Sequence, residues 1–167
     1  MSAKAKQYEI DVRDVEYLRH GDKPLLARVY APKGAGPFPL VIDLHGGAWN
    51  NKDRMSDEGT DRPLAESGVV VAALDFRMPP QARYPASLQD VNFAVRWFKL
   101  HAKEFNADPK RVGILGMAFK GGNDDTRDSL SFKLAKRLKF EGATVLCSDE
   151  YAERADFVTR AEALNAD

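Results

Sequence analysis

Apolar residues alternate with charged ones near the start of the chain, at Ile10, Val12, Val15 and Tyr17 within residues 8–17. A second short extended run covers residues 25–30 after the turn His20-Gly21-Asp22, and the two together predict an antiparallel hairpin. Residues 38–44 and 69–74 differ in being apolar runs, broken only by Asp43, as parallel strands covered by helices on both faces are. Between them Asp61 is placed to cap a short helix with Pro63 in its first turn and Gly68 as its end. From Ser87 the positions Leu88, Val91, Val95 and Phe98 follow a helical spacing, which predicts a helix to about residue 105, stopped by Asn106-Ala107-Asp108-Pro109.

Strand and helix keep alternating after that. Residues 111–117 read as a buried strand and residues 129–141 as an amphipathic helix with Leu130, Leu134 and Leu138 on one face and Gly142 as its stop. Residues 143–147 read as a further strand, and residues 155–165 carry a weak helical pattern. This order predicts an open α/β sheet with right-handed crossovers and its functional edge at the carboxyl ends of the strands.

The chain of 167 residues is long enough for one domain with a real core. Its 25 basic residues balance 25 acidic ones, so nucleic acid, an anionic membrane and polyanionic substrates are not expected partners. Cys147 is the single cysteine, which excludes an intramolecular disulfide framework and favours a reducing, cytoplasmic setting. The first residues lack the apolar core of a signal peptide, and no apolar run reaches membrane-spanning length. A soluble protein is expected.

The first chemical constellation is Leu44-His45-Gly46-Gly47-Ala48-Trp49, where a buried strand ends. Adjacent glycines there let backbone N–H groups approach a developing negative oxygen, the work of an oxyanion hole. A tight turn is the plain alternative for a Gly-Gly pair by itself. The flanking residues, together with Asp75-Phe76-Arg77-Met78-Pro79-Pro80 and Tyr84-Pro85-Ala86-Ser87-Leu88-Gln89-Asp90, closely resemble the esterase and lipase branch of the α/β-hydrolase family over residues 8–117. Asn106-Ala107-Asp108-Pro109-Lys110-Arg111-Val112 matches the run that in that family leads to the nucleophile elbow.

The elbow itself departs from the pattern. Gly-x-Ser-x-Gly stands a serine on a sharp strand-to-helix turn, and the aligned stretch here is Gly116-Met117-Ala118-Phe119-Lys120. Ala118 occupies the serine position and Lys120 the second glycine position, leaving His45, Gly46, Gly47 and Ala48 as a vestigial oxyanion loop. The family takes its triad Asp and His from later strands, which are not expected before Asp167. Ser56, Ser67, Ser87, Ser129, Ser131 and Ser148 lie in no elbow motif, and His20, His45 and His101, the three histidines, offer no evident base partner. His101 reads as a surface or boundary residue of the long helix.

A second constellation begins where the first ends. The run 112–120 (Val112 to Lys120), then Asn123-Asp124-Asp125-Thr126-Arg127-Asp128-Ser129 and the segment to Cys147-Ser148-Asp149, resemble the C-terminal UDP-binding domain of UDP-glucose and GDP-mannose dehydrogenases over residues 111–167. That resemblance implies Phe119, Lys120 and Arg127 as sugar-nucleotide contacts. Gly121 and Gly122 free the backbone while Lys120 and Arg127 can face phosphates; the plainer alternative is a solvated loop whose Asp128 or Ser129 caps the next helix. No strand is followed by Gly-x-Gly-x-x-Gly, so no nicotinamide cofactor is expected, and Cys147 reads as a small core residue. No histidine pair has metal-ligand spacing, and Asp124-Asp125 fits a solvated loop, so no metal site is expected.

Both resemblances write residues 111–117 in nearly the same letters. The chain therefore reads as one α/β domain over 1–167 with an internal crossover near 111–117: hydrolase-like over 1–115, dehydrogenase-like over 116–167. The expectation is a hybrid, by laboratory recombination or gene fusion, folded as a truncated three-layer α/β-hydrolase-like sandwich of about six mostly parallel strands, completed by a Rossmann-like βαβ piece. The resemblance implies a strand order 1-2-4-3-5-6 with the first two antiparallel. Catalytic inactivity leads; weak UDP-sugar binding and residual carboxylesterase activity are the alternatives. Self-association through an edge at residues 143–147 is the expected partner behaviour.

Overall fold

A computed structural model of the protein describes residues 7–46 and 51–114, with Lys133, Ala135, Lys136, Lys139 and Phe140 beyond them. Its elements run β1 (Ile10–His20), β2 (Lys23–Pro32), β3 (Phe38–Asp43), α1 (Glu58–Glu66), β4 (Val70–Leu74), α2 (Ala86–Leu100), a 3₁₀ turn (Ala102–Phe105) and β5 (Ala107–Ile114). The strands form a sheet in the order β1-β2-β4-β3-β5, which agrees with the first five positions of the expected order. β3 runs parallel to β4 and β5, while β2 runs antiparallel to both β1 and β4. The hairpin is antiparallel as expected, but antiparallel pairing is not confined to it: β2 also runs against β4, so β1 points the same way as β4 and β2 alone is reversed among the described strands.

The apolar runs of β3 and β4 make sense once both faces are covered. Successive side chains of a strand point to opposite faces. In β4, Val70, Ala72 and Leu74 therefore join Leu40 and Ile42 of β3, Ala27 and Val29 of β2 and Val91, Val95 and Phe98 of α2 in one core. Val71 and Ala73 point the other way, into a second cluster with Tyr30, Ala65 and Val69 under α1. Each large side chain so buried contributes about 1.5–3 kcal/mol. Helix, sheet and helix thus make three layers, with α1 and α2 on opposite faces.

The hairpin turns at Gly21 and Asp22, and Gly21 takes φ 57°, a left-handed conformation that glycine adopts without steric cost. Farther back, the pairing shifts between Glu16 and Leu18, so Tyr17 is the extra residue of a β-bulge and is buried. α1 begins one turn earlier than Asp61 predicts. Asp57 precedes its first residue, and Asp61 lies within the helix as a fully buried side chain rather than at its cap. Gly68, at φ 103°, ends this segment as expected, its N–H donating to the Ala65 carbonyl at 2.9 Å.

α2 gives way to the 3₁₀ turn and stops at Asn106, whose φ of 56° is left-handed. β5 starts earlier than the expected residue 111, because Ala107 already pairs with Phe38; after a shift, the ladder resumes at Leu40 and Val112. The five described residues beyond 132 are helical, within the predicted helix 129–141. The expected strand 143–147, its edge and the helix 155–165 lie outside the described residues.

Candidate functional site: the carboxyl edge of the sheet

Because β1, β3, β4 and β5 run the same way, the β1–β2 turn, the loop after β3 and the loop after β4 share one end of the sheet. His45 and Gly46 leave β3 there. His45 is buried, its ring stacked on Phe76 from the loop after β4, with centroids 4.5 Å apart and planes 9° from parallel. His45 Nδ1 lies 3.0 Å from the Gly46 carbonyl, and Nε2 is buried with no hydrogen-bond partner among the described residues. The imidazole is thus a packed element of the loop. Gly47 and Ala48 lie outside the described residues, as do Ala118, Phe119, Lys120 and Arg127.

Beside the loop stands Lys52. A β-carbon placed on Gly46 would lie 3.7 Å from Lys52 Nζ, and the same ammonium is 3.7 Å from Asp57 Oδ1. Lys52 also lines an open cleft of about 400 Å³, which runs between the hairpin turn at Asp22 and Lys23 and the segment Asp75, Phe76, Met78 and Gln81. Leu25, Phe76 and Met78 give it an apolar wall. Asp75 is already engaged: its two oxygens accept from the Arg54 backbone N–H at 3.0 Å and from Arg54 Nη1 at 2.9 Å.

Arg54 ties this edge to the outer strands, since its Nη2 also donates to Asp14 Oδ2 at 2.8 Å. Arg28 Nε reaches the other Asp14 oxygen at 2.8 Å. The hydrogen bonds from Arg28 and then Arg54 hold the Asp14 carboxyl at about 2, below the usual carboxylate range. Tyr17 completes the frame by donating its hydroxyl to the Asp75 carbonyl, and burial pushes that phenol well up.

The other two histidines have partners of their own. His20 Nε2 lies 2.9 Å from Asp90 Oδ1, and Asp90 also accepts from the Arg77 backbone N–H, Nε and Nη2 at 2.8 to 3.0 Å. His101 stacks on Trp97 at 4.0 Å with Nδ1 2.8 Å from the Trp97 carbonyl. It is a boundary residue, as expected. Among the serines, Ser56 accepts from the Asp53 N–H and Ser67 donates to the Leu64 carbonyl, local turn roles. No group of metal-ligating side chains occurs among the described residues.

Sequence reasoning missed Phe76, Lys52 and the Arg77–Asp90 pair as neighbours of this edge. The signal was present only as the run 75–90, in which a charged pair is spaced by a loop. At that end of the sheet, Gly46 follows β3 beside the cleft that Lys52, Asp53 and Asp75 line, and the His20–Asp90 pair closes the end of β1.

The family model BD-FAE matches residues 28–123, more than half of the chain and every element from within β2 through β5. The chain belongs to the BD-FAE family. A second model, the UDP binding domain of the UDP-glucose/GDP-mannose dehydrogenase family, matches residues 113–165, so the two overlap at residues 113–123. Relatives of this BD-FAE chain include the carboxylic ester hydrolase LipN of Mycobacterium tuberculosis, 34% identical over 70% of this chain and 31% of the relative. Carboxylesterase NlhH of Mycobacterium tuberculosis is 32% identical over 70% of this chain and 36% of the relative. Among solved structures, a hyperthermophilic esterase from the archaeon Pyrobaculum calidifontis aligns with a TM-score of 0.69 and 25% identity, covering 87% of this chain and 44% of that one. The BD-FAE chain thus spans about a third of the length of these curated relatives. Its described part is an esterase-type α/β-hydrolase segment, and no described helix is long and apolar enough to cross a membrane.

Proposed function

We propose that this chain is a hybrid scaffold, an esterase-type segment continued by a UDP-binding-domain-like segment, that does not hydrolyse esters efficiently. The observation that carries this reading is Ala118 within Gly116-Met117-Ala118-Phe119-Lys120, inside the stretch matched by the family model. An oxyanion loop stabilises charge only after a nucleophile has attacked, and a methyl group cannot attack. Lys120 adds to this, because a side chain stands where the elbow pattern has its second glycine. Short p-nitrophenyl esters test the reading. The folded protein should leave their hydrolysis at the buffer rate, and a rate far above buffer that disappears in His45→Ala would refute it.

A second reading is favoured by the match of residues 113–165 to a UDP binding domain. In it, Phe119, Lys120 and Arg127 contact a UDP-sugar weakly, the cations pairing with phosphate oxygens. Titration calorimetry with UDP-glucose at millimolar concentration tests it, and an absence of heat removes it.

A further inference from the structure

Under α1, on the face opposite α2, three polar groups are buried together. Asp61 is fully buried in α1, and both of its carboxyl oxygens lack a hydrogen-bond partner among the described residues. Tyr30 of β2 is fully buried too, and its hydroxyl is likewise without a partner. Asp43, the last residue of β3, is 7% exposed. Around them lie apolar side chains, Ala65, Val69, Val71 and Ala73.

The charges facing this group are mostly negative. Asp57 and Glu58 stand at the start of α1, and with Asp43 they press on Asp61; Glu58 is itself paired with Arg62 at 3.1 Å. From the loop after β3, Lys52 lies 3.7 Å from Asp57 and draws on Asp43. Arg28, on β2, is committed to Asp14 at 2.8 Å. No described cation therefore neutralises Asp61. An ionised carboxylate buried without a partner is costly, so the group keeps its proton instead.

We propose that Asp61 and Asp43 form a proton-dependent latch: uncharged, they let α1 lie on β2 and β4; charged, they repel each other and Asp57, and loosen α1 together with the end of β3 from which the His45-Gly46 loop departs. The device is independent of residue 118. Burial, then the neighbouring acids, push the Asp61 carboxyl up to about 8, and burial followed by Asp57 pushes Asp43 up to about 6. Because both folded values exceed the ordinary aspartate value of 3.8, the stability they contribute is fully present below about pH 4. It is lost as pH rises through those two values, and levels off above them.

Amide hydrogen exchange of residues 58–66 in the intact protein, corrected for intrinsic exchange, reads the latch directly. Protection of α1 should fall at least about tenfold between pH 6 and pH 9 in the unmodified protein, and D61N should abolish most of that fall. Equal losses in the two proteins, or no loss in either, would overturn the proposal. If D61N does not fold, carbon-13 NMR of the aspartate carboxyls in the unmodified protein decides. Asp61 and Asp43 titrating above the ordinary aspartate range supports the latch, and titration within that range refutes it.

Discussion

His20, the last residue of β1, meets Asp90 in the second turn of α2 at 2.9 Å, and this contact ties the edge hairpin to the helix that covers the main core. Asp90 is 1% exposed and is shared with Arg77, whose guanidinium approaches both oxygens at 2.8 Å. One carboxylate thus fixes three segments: the hairpin, the loop after β4 and α2. The cost of burying it is offset by charge-assisted hydrogen bonds from two directions.

Asp90→Ala should therefore be severe, because it leaves the Arg77 guanidinium without its partner. A loss of about 3 kcal/mol in urea denaturation is expected. His20→Ala, which removes one hydrogen bond from a partly exposed ring, should cost about 1 kcal/mol. Equal effects of the two substitutions would mean that Asp90 is not the hub.

Asp14 gives a pH dependence opposite in sign to that of Asp61. Its folded value of about 2 lies below the ordinary aspartate value of 3.8, so its bonds to Arg28 and Arg54 add stability above about pH 4. That contribution, about 2 kcal/mol at most, disappears as pH falls toward 2. Asp14→Asn should be less stable than the unmodified protein at neutral pH and match it near pH 2, as measured by urea midpoints across that interval.

Much of this architecture is legible in the chain, for identifiable reasons. The spacing of Leu88, Val91, Val95 and Phe98 places one apolar stripe of α2 on the sheet, where the last three are buried and Leu88 packs half-buried against the core. The unbroken apolar run of β4 announces a strand covered on both faces, and its alternate residues divide between the two cores. Asp61 misled because an aspartate shortly before a proline is the usual mark of a helix start, whereas here the helix begins at Glu58 and turns that carboxyl inward. Asn106 and Pro109 suggested a longer break than exists: Asn106 alone takes the left-handed conformation, and pairing starts at Ala107. The site was legible as a loop at His45-Gly46, but its surroundings were not, since the His45–Phe76 stack and the place of Lys52 depend on strands 3 and 4 lying side by side.

Gly36 reports on the joint before β5. A β-carbon there would come 2.5 Å from Asn106 Oδ1 and 2.7 Å from Cγ, closer than real contacts allow. Asn106 would have to release its 3.0 Å bond to the Gly34 carbonyl and shift a residue whose own carbonyl accepts from Phe38 N–H at 2.8 Å. Gly36→Ala should lower stability by about 1–3 kcal/mol and speed amide exchange at Phe38. An unchanged exchange rate at Phe38 would show that this contact does not hold β5 in place.

The proposed inactivity rests on Ala118 at the serine position of the elbow pattern, and a fluorophosphonate probe examines that most directly, because it labels a serine only when the hydroxyl is activated. Intact-mass measurement of the folded protein after incubation should show no adduct at any of its serines, alongside full labelling of an active carboxylesterase. A stoichiometric adduct mapped to one serine of this chain would contradict the proposed inactivity.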